Sequence, residues 1–169
     1  WRISYPLIVA GVSETIVEVT DTVFLARYGV TELAAIGLAA AIYGIALALI
    51  YGFVDGIQIL LARRAGEGRD VEVGRVFNQG LYLLVLTAVA LILVIKLAVP
   101  ALTAELFASA AVHAAVDDYL QIYAVALLFE AVNLAYSVFY VGIGRTRVLI
   151  GAAAVLAVTN ILFDYLLIF

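Results

Sequence analysis

Five apolar runs, each about as long as a bilayer is thick, govern what this chain can become. They cover about 5–25, 33–62, 77–99, 119–141 and 148–169. Each reaches or passes the ~20 residues a helix needs to cross the hydrocarbon core. In lipid every backbone N–H and C=O must find an internal partner, so such runs become helices. The expected fold is all-α, a polytopic transmembrane helix bundle. Composition agrees: charged residues are 13% of the 169 and hydrophobic ones 67%, against ~25% charged in soluble domains. With a mean hydropathy of +1.19, one soluble core of this size could not hide the apolar surface. No basic face suits nucleic acid. The lack of cysteine excludes disulfides, thiol catalysis and thiolate metal sites, and His113 alone cannot build a histidine metal site.

The breaks between runs carry turn chemistry. Arg27-Tyr28-Gly29-Val30-Thr31 is short and makes the first two helices antiparallel neighbours. Arg63 to Asp70 is polar with two glycines, and Gly142 to Arg147 reads as a tight turn. The stretch from Pro100 to Asp118 is longer and mildly amphipathic, and is expected to hold a short interfacial helix. Arg2, Arg63, Arg64, Arg69, Arg75, Arg145 and Arg147 fall on one side, with Arg27 and Lys96 toward the other. The positive-inside rule then places the N-terminus in the cytoplasm, here expected to be that of a prokaryote, with the chain in its inner membrane. No signal peptide is read in the first run, because Glu14, Glu18 and Asp21 interrupt it. The chain starts at Trp1, ends at Phe169 and holds an odd number of spans, so a single incomplete lobe over 1–169 is expected.

Ionisable groups at membrane depth cost at least ~2.5–3.5 kcal/mol and usually mark an ion or proton path. Glu14, Glu18 and Asp21 stand at i, i+4 and i+7 of helix one and share a face. Crowded carboxylates raise one another's pKa, so they can hold a proton near neutral pH or bind a hard cation such as Na⁺. Alternatively, the two glutamates face an aqueous cavity or pair with an arginine. In helix five Asn160 and Asp164 stand at i, i+4, where an amide beside a carboxylate can fix a proton or complete an oxygen cage; an asparagine can also simply bond a neighbouring helix. Pro6 is either an ordinary helix start or a bend that changes with protonation. Glu130 and Asn133 sit mid-helix four near Tyr123, Tyr136 and Tyr140, where a carboxylate among aromatics could receive an organic cation or form a satisfied polar patch. Asp55, with Gln58, is expected to pair with Arg63 or Arg64 or to line a cavity. Asp117, Asp118 and Tyr119 mark an outer helix start, and His113 reads as a solvated loop residue.

In this order and at these spacings, several segments resemble the MATE multidrug exporters. These are Asp21-Thr22 in helix one and Thr31-Glu32-Leu33-Ala34-Ala35-Ile36-Gly37-Leu38 opening helix two. Gly56 to Gly68 resembles that helix's end, Gly142-Ile143-Gly144-Arg145-Thr146-Arg147 the turn before helix five, and Asn160 to Phe169 helix five itself. The resemblance implies twelve helices in two pseudo-symmetric lobes facing a central cleft, with this chain as helices one to five of the N-terminal lobe; helix six and the C-terminal lobe lie beyond it. It also implies export of organic cations or amphiphilic drugs against inward H⁺ or Na⁺, with no other cofactor. By similarity to the DinF-like prokaryotic branch, Asp21, Asn160 and Asp164 would bind the coupling cation or proton. Pro6 matches the family's helix-one proline and Tyr119 a helix-four tyrosine near that site, while Glu14 and Glu18 lie outside the pattern. Two rivals remain: a lipid-linked oligosaccharide flippase of the same superfamily, and a non-transporting scaffold or sensor bundle. An intramembrane enzyme finds no Ser–Lys or Ser–His pair, HExxH or phosphate loop.

Overall fold

The computed structural model describes the backbone of residues 4–26, 30–106 and 110–168; side chains at 14, 18, 21–22, 24–26, 30–35, 106, 164–165 and 167–168 lie outside the described set. Helices follow one another along the whole of it: α1 (Ser4–Ala26), α2 (Val30–Gly66), α3 (Asp70–Leu106), α4 (Ala110–Tyr123), α5 (Ala126–Gly142) and α6 (Arg147–Ile168). Among the described residues, α2 over Ile36–Gly66 and α3 over Asp70–Glu105 are each long and apolar enough to cross a membrane. Together α4 and α5 make a third such span, bent by 44°. In α1 and α6 the apolar stretches run over Ser4–Val17 and Arg147–Phe163. Side-chain hydroxyls in α1 bond back to its own carbonyls, Ser13 to Val9 at 2.9 Å and Thr20 to Ile16 at 2.8 Å, which hides their polarity from lipid.

Two groupings build the bundle. The first is a body in which α2, α3 and α5 pack mutually and α4 lies against α2 and α3. Its centre is Ile50, Leu61, Leu84, Leu120 and Leu127, all buried. The second is a pair, α1 against α6, which among the described residues meets the body through α2 and α5. Register follows from a few contacts. Tyr43 stacks on Tyr123 at 4.3 Å between ring centres, and a Cβ on Gly142 would lie 2.9 Å from that of Leu61. Thus α2 runs parallel to α4–α5. Helix α3 runs the other way, since Phe77 stacks on Phe139 at 4.9 Å while Gln121 reaches Lys96.

The structure differs from the sequence reading between 100 and 118. A short helix does begin there, α4 at Ala110, but it packs into the body with Val116 and Leu120 buried, and α3 continues through Pro100 to Leu106. Proline has no N–H to offer the carbonyl four residues earlier. That carbonyl, on Lys96, instead accepts from Gln121 Nε2 at 3.5 Å. Thr103 Oγ1 donates to the Val99 and Pro100 carbonyls at 3.0 and 3.2 Å. Neither Pro nor Gly marks the bend at 124–125. There the N–H groups of Val125, Leu127 and Leu128 bond three residues back, tightening one turn and turning the axis.

At the arginine-rich end two turns close the bundle. Gly144 takes φ +73°, the left-handed conformation that ends many helices, and Arg145 N–H returns to Tyr140 O at 2.8 Å. Between α2 and α3, Glu67 accepts from Arg64 at 2.9 Å and Arg63 at 3.1 Å, and Glu72 pairs with Arg64 at 3.0 Å. Arg69 joins both glutamates at 3.5 and 3.4 Å.

Candidate functional site

A cleft of about 550 Å³ opens where the α1–α6 pair meets the body. Its two walls differ in chemistry. The body wall carries Tyr43, Tyr51, Asp55 and Gln58 from α2, Tyr123 from α4, and Glu130, Asn133 and Ser137 from α5. Among the described residues the facing wall is apolar: Leu7, Ala10, Gly11 and Val17 from α1, and Leu149, Ala152, Ala153 and Leu156 from α6. No lysine, arginine or histidine lines the cleft among the described residues.

Helical spacing explains the polar wall. On α2, Tyr43, Leu47, Tyr51, Val54, Asp55 and Gln58 recur every three or four residues, so they form one stripe. The same holds for Glu130, Asn133, Leu134, Ser137, Val138 and Val141 on α5. Because α2 and α5 run parallel, the two stripes lie side by side. The tyrosines stack over the Glu130 end of the cleft: Tyr119 meets Tyr123 at 4.9 Å, Tyr123 meets Tyr43, and Glu130 is an electrostatic neighbour of the Tyr43 hydroxyl.

The residues singled out in the sequence separate into four sets. Glu130 and Asn133 line the cleft, with Tyr119 one ring behind it. Pro6 is buried in the first turn of α1, which continues unbroken from it. Glu14, Glu18 and Asp21 on α1 and Asp164 on α6 have side chains outside the described residues. Their backbones place Asp21 and Asp164 within the last two turns of two helices that pack together. Asn160, half-buried, lies along an open groove on α6 with Val155, Leu156, Thr159 and Phe163. It is not among the residues lining the two-walled cleft.

Of the two expectations for Asp55, cavity lining is the one met. Asp55 is not paired with Arg63 or Arg64, which bond Glu67 and Glu72 instead; it is exposed within the cleft. Tyr43, Tyr51 and Ser137 were not singled out by sequence reasoning. Their signal was the same three-and-four spacing that places Asp55 and Glu130, read across two helices at once.

Outside the cleft, hydrogen bonds from Arg64 and Arg63 hold the Glu67 carboxyl below the usual range for glutamate.

A family model described as MatE matches residues 6–166. The chain is 36% identical over 95 residues to a probable multidrug resistance protein NorM of Synechococcus sp., covering 56% of this chain and 20% of that protein. It is 29% identical over 166 residues to a probable multidrug resistance protein NorM of Rhizobium meliloti (97% of this chain, 35% of that one). A probable multidrug resistance protein NorM of Aromatoleum aromaticum is 30% identical over 162 residues (94% and 34%). The chain thus spans about a third or less of the length of these curated relatives. No solved structure matches it.

Proposed function

This chain belongs to the MatE family, and from that premise we infer that it forms part of the N-terminal lobe of a secondary active multidrug or toxin efflux antiporter. The driving force is inward movement of H⁺ or Na⁺. Organic cations or amphiphilic drugs are the cargo, moved by exchange of binding sites across the membrane without covalent chemistry. The observation that carries this reading is the two-walled cleft. One wall offers carboxylates and aromatic rings to a positive group; the other offers an apolar surface to a hydrophobic body.

Coupling is assigned to Asp21, Asn160 and Asp164. What supports it is that α1 and α6 are packed neighbours. Both helices start at the arginine-rich end, so Asp21 and Asp164 come to similar depth. The coupling ion acts by binding one orientation of the lobe better than the other, since only differential affinity can shift such an equilibrium. With Arg63, Arg64, Arg69, Arg75, Arg145 and Arg147 at one end, the positive-inside rule puts that end in the cytoplasm of a prokaryotic inner membrane. The flippase reading is disfavoured by the cleft itself, which among the described residues holds Asp55 and Glu130 and no basic residue to receive a pyrophosphate. A bundle serving only as scaffold gives no reason for such a cleft.

The test is Asp164→Asn in the full-length protein. Gradient-driven efflux is expected to fall to background while expression and thermal stability stay near wild type. Normal efflux by the variant would overturn the assignment of Asp164.

A further inference from the structure

The arginines at the closed end of the bundle differ in what answers their charge. Arg63, Arg64 and Arg69 are held by Glu67 and Glu72 in the α2–α3 turn. Arg145 and Arg147, where α6 begins, are exposed and join no ion pair among the described residues. The helices that pack on α6 bring no carboxylate to that end. Helix α6 itself has none from Arg147 to Phe163, and α5 has none beyond Glu130, about three turns back from Gly142. Helix α1 has none before Glu14, about 15 Å along from Ser4. Arg147 also heads the open groove on α6, a space of about 1070 Å³. One turn on, Gly151 and Ala152 keep its floor low, and nothing lies within 4 Å of where a Cβ on Gly151 would stand. Val155, Leu156 and Phe163 continue it as an apolar track. From Arg147 to Leu156 the track runs about 14 Å, close to the ~15 Å half-thickness of a bilayer's hydrocarbon core.

A cationic head above an apolar track one leaflet deep complements an anionic amphiphile. Guanidinium groups bind phosphate through paired, charge-assisted hydrogen bonds. The positive end of the α6 dipole stands at the same mouth, and basic groups at a membrane surface attract acidic lipid. A further helix laid on the groove would fill the track but leave the charge at its mouth unanswered unless it brought a carboxylate there. A zwitterionic lipid would bring an ammonium along with its phosphate. We propose that the α6 groove is a binding site for an anionic phospholipid of the leaflet at the arginine-rich end. Its phosphate is held by Arg147 and Arg145, and one acyl chain lies over Gly151, Ala152 and Val155. Groove and cleft share Ala152 and Leu156, so the lipid sits behind the α6 wall of the cleft. The site needs no cargo and holds whether or not the cleft carries one.

The test is lipid binding to the delipidated full-length protein, read by native mass spectrometry. Phosphatidylglycerol is titrated against phosphatidylethanolamine with the same acyl chains. Wild type is expected to bind the anionic lipid roughly tenfold more tightly. With Arg145→Ala and Arg147→Ala combined, the preference is expected to shrink to within about twofold. Arg75→Ala removes an exposed arginine from α3, which does not touch α6 among the described residues, and is expected to keep the preference. Gly151→Leu fills the hollow under Arg147 and is expected to weaken phosphatidylglycerol binding by about threefold or more. Equal affinity for the two lipids in wild type would overturn the proposal, and needs no variant to fold. So would a preference that survives the double substitution, or one lost equally in Arg75→Ala, the signature of general surface charge. Unchanged affinity in Gly151→Leu would overturn it too, since the groove would then be covered by another part of the full-length chain.

Discussion

The body and the α1–α6 pair are built from equally apolar helices, yet they are held in opposite ways. In the body, side chains from three helices interlock: Leu127 of α5 is 0% exposed, as is Leu61 of α2. In the pair, Leu156 of α6 is 49% exposed, and Pro6 and Ala153 are the buried residues among those described. Between the two lies a cleft, bridged among the described residues by α1–α2 and α5–α6 contacts. Packed cores are bistable rather than deformable, so a body of this kind moves as a unit. The pair can shift against it with few side chains to unlock. The lesson is that hydropathy names what enters lipid, while interdigitation decides what stays fixed there.

The largest contrast should come from trimming one leucine in each region. Leu127→Ala leaves a cavity amid α5's packing partners and should cost ~2 kcal/mol or more. Leu156→Ala faces the cleft and the open α6 groove and should cost under ~0.5 kcal/mol. Reversible unfolding in mixed micelles measures both. Equal losses would show that the pair is as firmly packed as the body, and the comparison would break.

Next is the closest helix contact in the body. A Cβ at Gly142 would stand 2.9 Å from Leu61 Cβ and 3.3 Å from the Ala62 backbone nitrogen. Backbone cannot rotate aside as a side-chain tip can, so Gly142→Ala should force α2 and α5 apart at a cost of ~1–3 kcal/mol. Gly151→Ala on α6, where nothing lies within 4 Å, should be close to neutral. A neutral Gly142→Ala would mean that the parallel register of α2 and α5, and with it the pairing of Asp55 and Glu130 in one cleft, is looser than described.

Smaller again is the bridge from Gln121 to Lys96 O. Gln121→Leu should cost about 1 kcal/mol in the native protein. With Pro100→Ala in place, residue 100 regains an N–H and can bond Lys96 O itself, so the same Gln121 substitution should then cost less. A double-mutant cycle reads the difference. Strict additivity would show that Gln121 does not serve the proline.

That bridge also shows where reading the sequence stops. The apolar runs were legible because lipid leaves the backbone no alternative to helix, and α1, α2, α3, α5 and α6 fall where those runs are. The 100–118 stretch was not legible. Pro100 looks like a stop, and Asp117 with Asp118 like a start. The partner that lets α3 run on is 25 residues away. The bend at 124–125 has no residue signature at all. In the cleft, Glu130 and Asn133 stood out as polar groups at depth. For Asp55 the sequence left two alternatives open, an ion pair with Arg63 or Arg64 and the lining of a cavity; the arginines' partners lie in the α2–α3 turn and Asp55 lines the cleft. That Asp55 and Glu130 share a space depends on how α2 lies on α5, a tertiary fact no single helix carries.

The α2–α3 turn supplies the smallest effect and a check on the body's closed end. Glu67 accepts from Arg64 and Arg63, and these bonds favour its charged form, so its pKa lies below the ordinary glutamate value. A carboxyl whose pKa is lowered in the folded state contributes stability that is present above its unfolded pKa. That stability is lost as pH falls through the lowered folded pKa. Thermal stability should therefore be insensitive to this group from neutral pH down to about pH 5, and should fall only in more acidic solution. The network is solvent-exposed, so the acid-dependent part should shrink further in high salt. Glu67→Gln should remove that acid-side slope and lower the neutral-pH midpoint by the same small amount. A slope of equal size in Glu67→Gln would place the acid sensitivity elsewhere, with the cleft carboxylates Asp55 and Glu130 the next to be replaced. The α2–α3 turn would then hold the body together by its backbone alone.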